Sequence, residues 1–221
     1  MKILVVSDLH SHHSIVEKLS AIDDFEKVDF IIDCGDLTHF GNIQSAEEML
    51  VKLTALRKPV LFVPGNCDPK ELANRNVVEG AQNVHGRCVR IGEFNILGVG
   101  GSPYTPFSTP FELAEEEIEE IVYHSYKEQD YKQRLILVSH SPPSDTRTDV
   151  TSSGTHVGSR AIREFIIRTK PILVFCGHIH EARGTDYLEG SLIVNPGLGH
   201  LGFYAIVAVN GDPSVKLKSL K

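Results

Sequence analysis

Five apolar runs in this chain each end on a side chain that can bind a metal. ILVVSD stops at Asp8, with His10 two residues on; FIIDCGD stops at Asp36; VLFVPGN at Asn66; LILVSH at His140; and ILVFCGH at His178, followed by His180. Carboxylate, imidazole and amide oxygen are donors for divalent transition metals, and a set without an obligatory thiolate suits Mn, Fe, Zn, Co or Ni better than Ca. One Asp or His at the end of a strand is ordinarily a cap or a hydrogen-bonded turn residue. Recurrence is the signal: five strand ends carry such a group, and Gly35, Gly65 and Gly177 stand immediately before three of them, where the backbone must turn without a side chain obstructing the site.

The elements that must position these groups are legible from patterning. Short continuous Val, Ile and Leu runs predict strands buried on both faces at residues 3–6, 30–32, 60–63, 94–99, 135–138, 172–175, 192–194 and 205–209. Amphipathic stretches alternate with them. Ser45 and Glu48 read as a capping box ahead of Ala46, Met49, Leu50 and Leu53; Thr109, Pro110 and Glu112 repeat the device; further helices are expected over 14–25 and 159–169. Strands alternating with helices indicate an α/β fold, and ligands bind at the carboxyl ends of parallel strands, where residues remote in sequence converge. The run Glu115, Glu116, Glu117, Glu119 and Glu120 reads as a solvated helix face.

Bulk properties exclude several classes. The 221 residues form one expected domain, 1–221, and 22 basic against 29 acidic residues give a net charge of -7. No basic footprint with interleaved aromatics marks a nucleic-acid polymer as partner, and the KLKSLK tail is only a weak electrostatic handle. The apolar run at the N-terminus is too brief for a signal peptide and no stretch is long enough to cross a bilayer, so a cytoplasmic location is expected. Cys34, Cys67, Cys88 and Cys176 show no CxxC pairing, so no disulfides are expected.

The blocks DLH, CGD, GNCD, SH and GHIH, in this order between residues 8 and 180, resemble the ordered motifs of the calcineurin-like metallophosphoesterase superfamily, and especially its small single-domain prokaryotic members related to cyclic-nucleotide phosphodiesterases. That resemblance implies two facing mixed β-sheets flanked by helices, a four-layer sandwich. It also implies two divalent ions, with Mn favoured: Asp8, His10, Asp36 and His180 around one, and Asp36, Asn66, His140 and His178 around the other. The implied activity is attack by a metal-bridging hydroxide on a small phosphodiester or nucleotide-type substrate. A bridging carboxylate such as Asp36 can hold two ions about 3.5–4 Å apart. The alternative is a metal-binding scaffold of the same fold with little catalytic activity.

Position 67 departs from the family pattern, which usually places His after Gly-Asn. An imidazole titrating near ~6.5 suits proton transfer at neutral pH better than a thiol near ~8.5. Cys67 therefore lines the site without being the main acid, or ligates as a thiolate, or fills the space of an imidazole. His39 and His156 are the substitute acids, and Arg147 and Arg160 could each clamp a phosphate or serve as an exposed ion-pair partner. The Gly/Ser/Thr/Pro-rich loops 98–107 and 141–159 should shape the substrate pocket, and the Asn-Pro-Gly turn at 195–197 should lie near its rim. His12, His13, His85, His124 and His200 carry no distinguishing spacing. A small homo-oligomer is compatible with the sequence.

Overall fold

The computed structural model describes residues 1–127 and 134–220. In chain order its strands are β1 (Lys2–Val6), β2 (Phe30–Asp33), β3 (Val60–Phe62), β4 (Ala81–Asn83), β5 (Cys88–Ile91), β6 (Phe94–Val99), β7 (Ser102–Pro103), β8 (Glu112–Leu113), β9 (Arg134–Ser139), β10 (Leu173–Phe175), β11 (Gly184–Leu188), β12 (Ser191–Asn195), β13 (Phe203–Asn210) and β14 (Asp212–Ser219). The helices are α1 (His13–Leu19), α2 (Ile43–Thr54), α3 (Glu115–Lys127) and α4 (Arg160–Thr169).

Strand alternation builds three apolar layers. In β1, Ile3 and Val5 point to one side and Leu4 and Val6 to the other, and all four are buried. The first pair meets Ile136, Val138, Phe175 and Val194 of a second sheet; the second pair packs under α1 and α2 with Val16, Met49 and Leu53. The second sheet repeats the pattern, turning Leu97, Leu137 and Val174 toward Ile118 of α3 and Phe165 of α4. The result is helix, sheet, sheet, helix, with strand orders β14-β13-β1-β2-β3-β4 and β11-β12-β10-β9-β6-β5. Strands β1 to β4 run parallel, with β4 as one edge of its sheet, as do β6, β9, β10 and β12, while antiparallel β14, β11 and β5 form the other edges. Burial of both faces explains why the inner strands read as unbroken apolar runs.

Local signals misplaced some helix ends. The helix expected over 14–25 spans only His13–Leu19, because the chain leaves it before Asp23 and Asp24; Asp24 is left-handed at φ 64 and starts a separate 3-10 turn, Phe25–Lys27. Helix α2 begins one turn before the Ser45 box, since Asn42 is the cap and accepts from the Ser45 N–H at 3.0 Å. The bond expected between Thr109 and Glu112 exists, at 2.9 Å, but inside a loop: Glu112 lies in β8 and α3 starts at Glu115. Helix α4 begins as expected, with Ser159 accepting from the Ile162 N–H at 3.2 Å. The edge strand β14 takes up much of the basic tail: Val215 and Leu217 pack on the inter-sheet core while the alternate residues face outward. No helix among the described residues is long and apolar enough to cross a membrane.

Glu115 is not part of the solvated face. Its carboxylate accepts from Ser159 Oγ and the Ala161 N–H, each at 2.8 Å, and from the Arg160 N–H at 3.0 Å, so it caps α4 from the neighbouring helix. A negative charge there complements the positive helix end. Glu115→Gln is expected to lower stability by about 1 kcal/mol; a urea unfolding midpoint equal to wild type would show that the charge is dispensable.

Candidate metal centre

The loops leaving β1, β2, β3, β9 and β10 meet at the common rim of the two sheets. Backbone bonds lock the first two together: the Asp8 N–H donates to Gly35 O at 2.8 Å, His10 to Asp36 O at 2.9 Å and Ser11 to Leu37 O at 2.8 Å. The His140 N–H donates to Val99 O at 3.0 Å and Gly177 to His140 O at 2.9 Å, which locks the loops of the second sheet together, and His140 Nδ1 reaches Cys34 O of the first at 2.8 Å. Asp8, His10, Asp36 and His178 all adopt left-handed backbone conformations, with φ of 56, 45, 58 and 65°. Such strain in non-glycine residues persists only where surrounding structure enforces it, and it concentrates here on the side chains that converge. Two glycines make the approach feasible. A Cβ at Gly65 would collide with the Asp36 carboxylate, and one at Gly177 with the Ser7 hydroxyl.

Asp36 lies at the middle. Its Oδ2 is 3.8 Å from His10 Nε2 and its Oδ1 is 3.5 Å from His140 Nε2. Asp8 lies beside it, with Oδ1 3.3 Å from His180 Nε2 and Oδ2 accepting from the His178 N–H at 3.3 Å. The His178 ring is 5.0 Å from that of His140, centroid to centroid. Three overlapping groups, Asp8/His10/His180, His10/Asp36/Cys67 and Asp8/Asp36/His140, bring their donor atoms within 4.8 Å of one another and could hold a metal ion.

The electrostatics favour neutral imidazoles at His10, His140 and His178, whereas at His180 burial pulls downward but the contact with Asp8 prevails and raises it. Burial pushes His10 down to about 4 against the opposing pull of Asp8, and burial together with His140 pushes His178 down to about 3. Burial also lowers His140. Asp36 is driven well above the ordinary carboxylate range, first by burial and then by Asp8 and Asp68. For Asp8, burial pulls upward but the His180 contact and the charges of His140 and His180 hold it low.

One contact tests whether a cation fits. His140 Nδ1 lies 2.8 Å from Cys34 O and so carries the ring proton, leaving a lone pair on Nε2. That lone pair faces Asn66 Oδ1 at 2.8 Å, while the Asn66 amide group donates to Thr109 Oγ1 at 3.0 Å. Two acceptors pointed at one another repel, and burial disfavours the imidazolium that would relieve them. Asp8 Oδ1 is likewise buried with no well-aligned hydrogen-bond donor among the described residues, its ring neighbour being His180 Nε2 at 3.3 Å. Divalent cations would satisfy both defects, so the residues present fit metal binding.

A model of the family described as calcineurin-like phosphoesterase matches residues 1–182. The chain belongs to that family. An uncharacterized protein of Methanocaldococcus jannaschii is 37% identical over 200 residues, 89% of this chain and 88% of that one. A probable cyclic nucleotide phosphodiesterase of Rhodopseudomonas palustris is 25% identical over 193 residues, 83% of this chain and 68% of that one. Among solved structures, a Thermus thermophilus protein gives a TM-score of 0.76 at 17% identity, covering 100% of this chain and 99% of that one. An archaeal phosphodiesterase gives 0.58 at 17% identity with 100% of both chains covered, so these two agree in fold.

In this metal-dependent phosphoesterase, Asp8, His10, Asp36, Asn66, His140, His178 and His180 come together, and Cys67 Sγ joins them. His39 stands at the rim, its ring 5.3 Å from His10. The other residues expected to contact substrate make their contacts with other partners. His156 pairs with Asp149 at 2.7 Å within its own loop, which raises its pKa. Arg147 and Arg160 are exposed, and among the described residues no hydrogen bond or ion pair joins either guanidinium to the converging groups. The Arg147 N–H is held by Asp186, and Arg160 starts α4 against Glu115.

Sequence reading passed over two contributors. His200, just after the Asn-Pro-Gly turn, bonds Asp8 O through its N–H at 3.1 Å and lies 3.2 Å from it through Nδ1; its ring is 5.5 Å from His10 and stacks on His12. Asp68 is fully buried and accepts from four donors: Thr38 N at 2.8 Å, Thr38 Oγ1 at 2.9 Å, Leu37 N at 3.1 Å and Gly65 N at 2.8 Å. It staples the Asp36 loop to the Asn66 loop. An amide at this position turns its NH2 toward two of those donors, so Asp68→Asn is expected to cost about 2 kcal/mol of stability in chemical denaturation; no change would mean the staple is not needed.

Proposed function

We propose that the chain is a dinuclear metal-dependent phosphohydrolase, a single domain over residues 1–221 that works in the cytoplasm on small phosphodiester or nucleotide-type substrates. The observation that carries this reading is the position of Asp36, whose two oxygens face His10 on one side and His140 on the other. One ion would be held by Asp8, His10, Asp36 and His180, the other by Asp36, Asn66, His140 and His178, with Mn the favoured metal. Two such ions, when bound, would acidify a water enough to attack phosphorus at neutral pH and would polarise the phosphoryl oxygens. With Asp8 and Asp36 as the only carboxylates among the seven, the loaded centre is positive and attracts phosphate despite the acidic chain.

The chain's own residues do the positioning. His10, His140 and His178 are kept neutral by burial and offer lone pairs, and the Cys67 N–H donates to Asp36 Oδ1 at 2.8 Å, fixing that carboxylate. Burial, followed by the charge of Asp36, pushes the Cys67 thiol well above its usual range while no cation stands beside it, and a thiol is in any case a weaker match to proton transfer at neutral pH than an imidazole. His39 beside His10 is the better-placed proton donor of the two substitutes. The probable cyclic nucleotide phosphodiesterase among the relatives supports diesters as the substrate class.

Three measurements test the reading. Purified chain reconstituted with Mn is expected to carry two ions and to hydrolyse members of a phosphodiester and phosphomonoester panel, with chelation abolishing turnover and Mn restoring it. Two bound ions without turnover on any ester would favour a scaffold, which the missing histidine at position 67 makes the rival; fewer than one ion would count against both. Cys67→His is expected to flatten the dependence of rate on leaving-group pKa by supplying a matched acid, and parallel slopes for the two proteins would remove the role given to the thiol.

A further inference from the structure

The polarity of one hydrogen-bond chain decides which end of the Asn66 amide faces His140. Glu112 Oε1 collects three donors from a single loop: Thr105 Oγ1 at 2.6 Å, the Thr109 N–H at 2.9 Å and Thr109 Oγ1 at 2.8 Å. An ionised carboxylate only accepts, so the Thr109 hydroxyl must spend its one proton on Glu112. Its oxygen then faces Asn66 as an acceptor at 3.0 Å, and only the NH2 end of the amide can answer it. The carbonyl end is thereby left toward His140 Nε2.

This orientation is not the one the amide would choose by local satisfaction. Rotated half a turn, Asn66 would donate an N–H to the His140 lone pair and relieve the repulsion there without any cation. It would also place two N–H groups where the proposed second ion binds. The acceptor at the far end of the chain, on Glu112, opposes that turn, because a rotated amide would present its own carbonyl to a Thr109 oxygen that has no proton to give. The Phe111 N–H, which donates to Asn66 O at 3.0 Å, fixes the backbone on which the side chain pivots.

We infer that Thr109 and Glu112 are positioning residues for the second metal ion, acting through Asn66 to hold its oxygen in the ligating orientation. The inference rests on the ligand set given under the proposed function. It also assigns the loop from Thr105 to Thr109 a role in metal loading. Outer-shell partners of this kind alter metal affinity by about 10–100-fold when removed.

The test is a Mn titration of the full chain, followed by calorimetry and by the electron paramagnetic resonance signal of coupled Mn pairs. Wild type is expected to bind two ions and show the coupled signal. Thr109→Val, which keeps shape and removes the hydroxyl, is expected to weaken one ion by about 10–100-fold, to leave the other unchanged and to lose the coupled signal. Thr109→Ser should restore both the weakened affinity and the coupled signal, and Glu112→Gln, whose NH2 can release the Thr109 proton toward Asn66, should behave like Thr109→Val. Wild-type affinity for both ions in Thr109→Val, or equal losses in the Val and Ser variants, overturns the inference while leaving the two-metal reading intact. A wild-type chain that takes up fewer than two ions removes that reading, and the inference with it.

Discussion

Buried Asp36 sets the terms for the rest of the site. It is 2% exposed, its neighbours include two more buried carboxylates, Asp8 and Asp68, and the imidazoles around it are kept neutral by the same burial. Among the described residues only His180, raised against burial by its contact with Asp8, offsets these carboxylates, so the cluster is short of positive charge, and the cost of ionising carboxylates away from water is several kcal/mol each unless a counter-charge is supplied. The repulsive pair at His140 Nε2 and Asn66 Oδ1 carries the same message in hydrogen-bond terms. Both features are understandable in a protein arranged around cations.

The scaffold makes that arrangement hold. Left-handed backbone at Asp8, His10, Asp36 and His178 would relax if each loop stood alone, but the loops are bonded to one another and closed from beneath by Asp68. Gly65 and Gly177 let backbone come within contact of the carboxylates, so the centre is compressed between two sheets rather than spread along one. Behind it, the inter-sheet core of Val, Ile, Leu and Phe residues fixes the strand ends in register. The chemistry sits on loops whose freedom has been removed by the elements that carry them.

Much of this was legible in the residues themselves. Strands buried on both faces announce themselves as unbroken apolar runs, so every inner strand that carries a converging residue could be read from composition, and the order of blocks from Asp8 to His180 named the family. The edge strands were not legible, because β14 alternates half-buried Val215 and Leu217 with exposed polar residues and is stabilised by pairing with β13 rather than by its own pattern. Helix starts went wrong where two caps compete, as Asn42 and Ser45 do, or where a capping pair such as Thr109 and Glu112 is used to order a loop instead. His200 could not be found from spacing, since a parallel strand and a tight turn bring it back to Asp8 from 192 residues away. Asp68 stood in plain sight beside Asn66 and Cys67, and its role depends on donors from another loop.

The central claim concerns where cations sit, and anomalous diffraction from crystals grown with Mn measures that most directly. Two Mn peaks about 3.5–4 Å apart are expected, bridged by the Asp36 carboxylate and with Asn66 Oδ1 and His140 Nε2 on the same ion. Peaks remote from Asp36, or an empty centre in which the Asn66 amide has turned its nitrogen to His140, would contradict it.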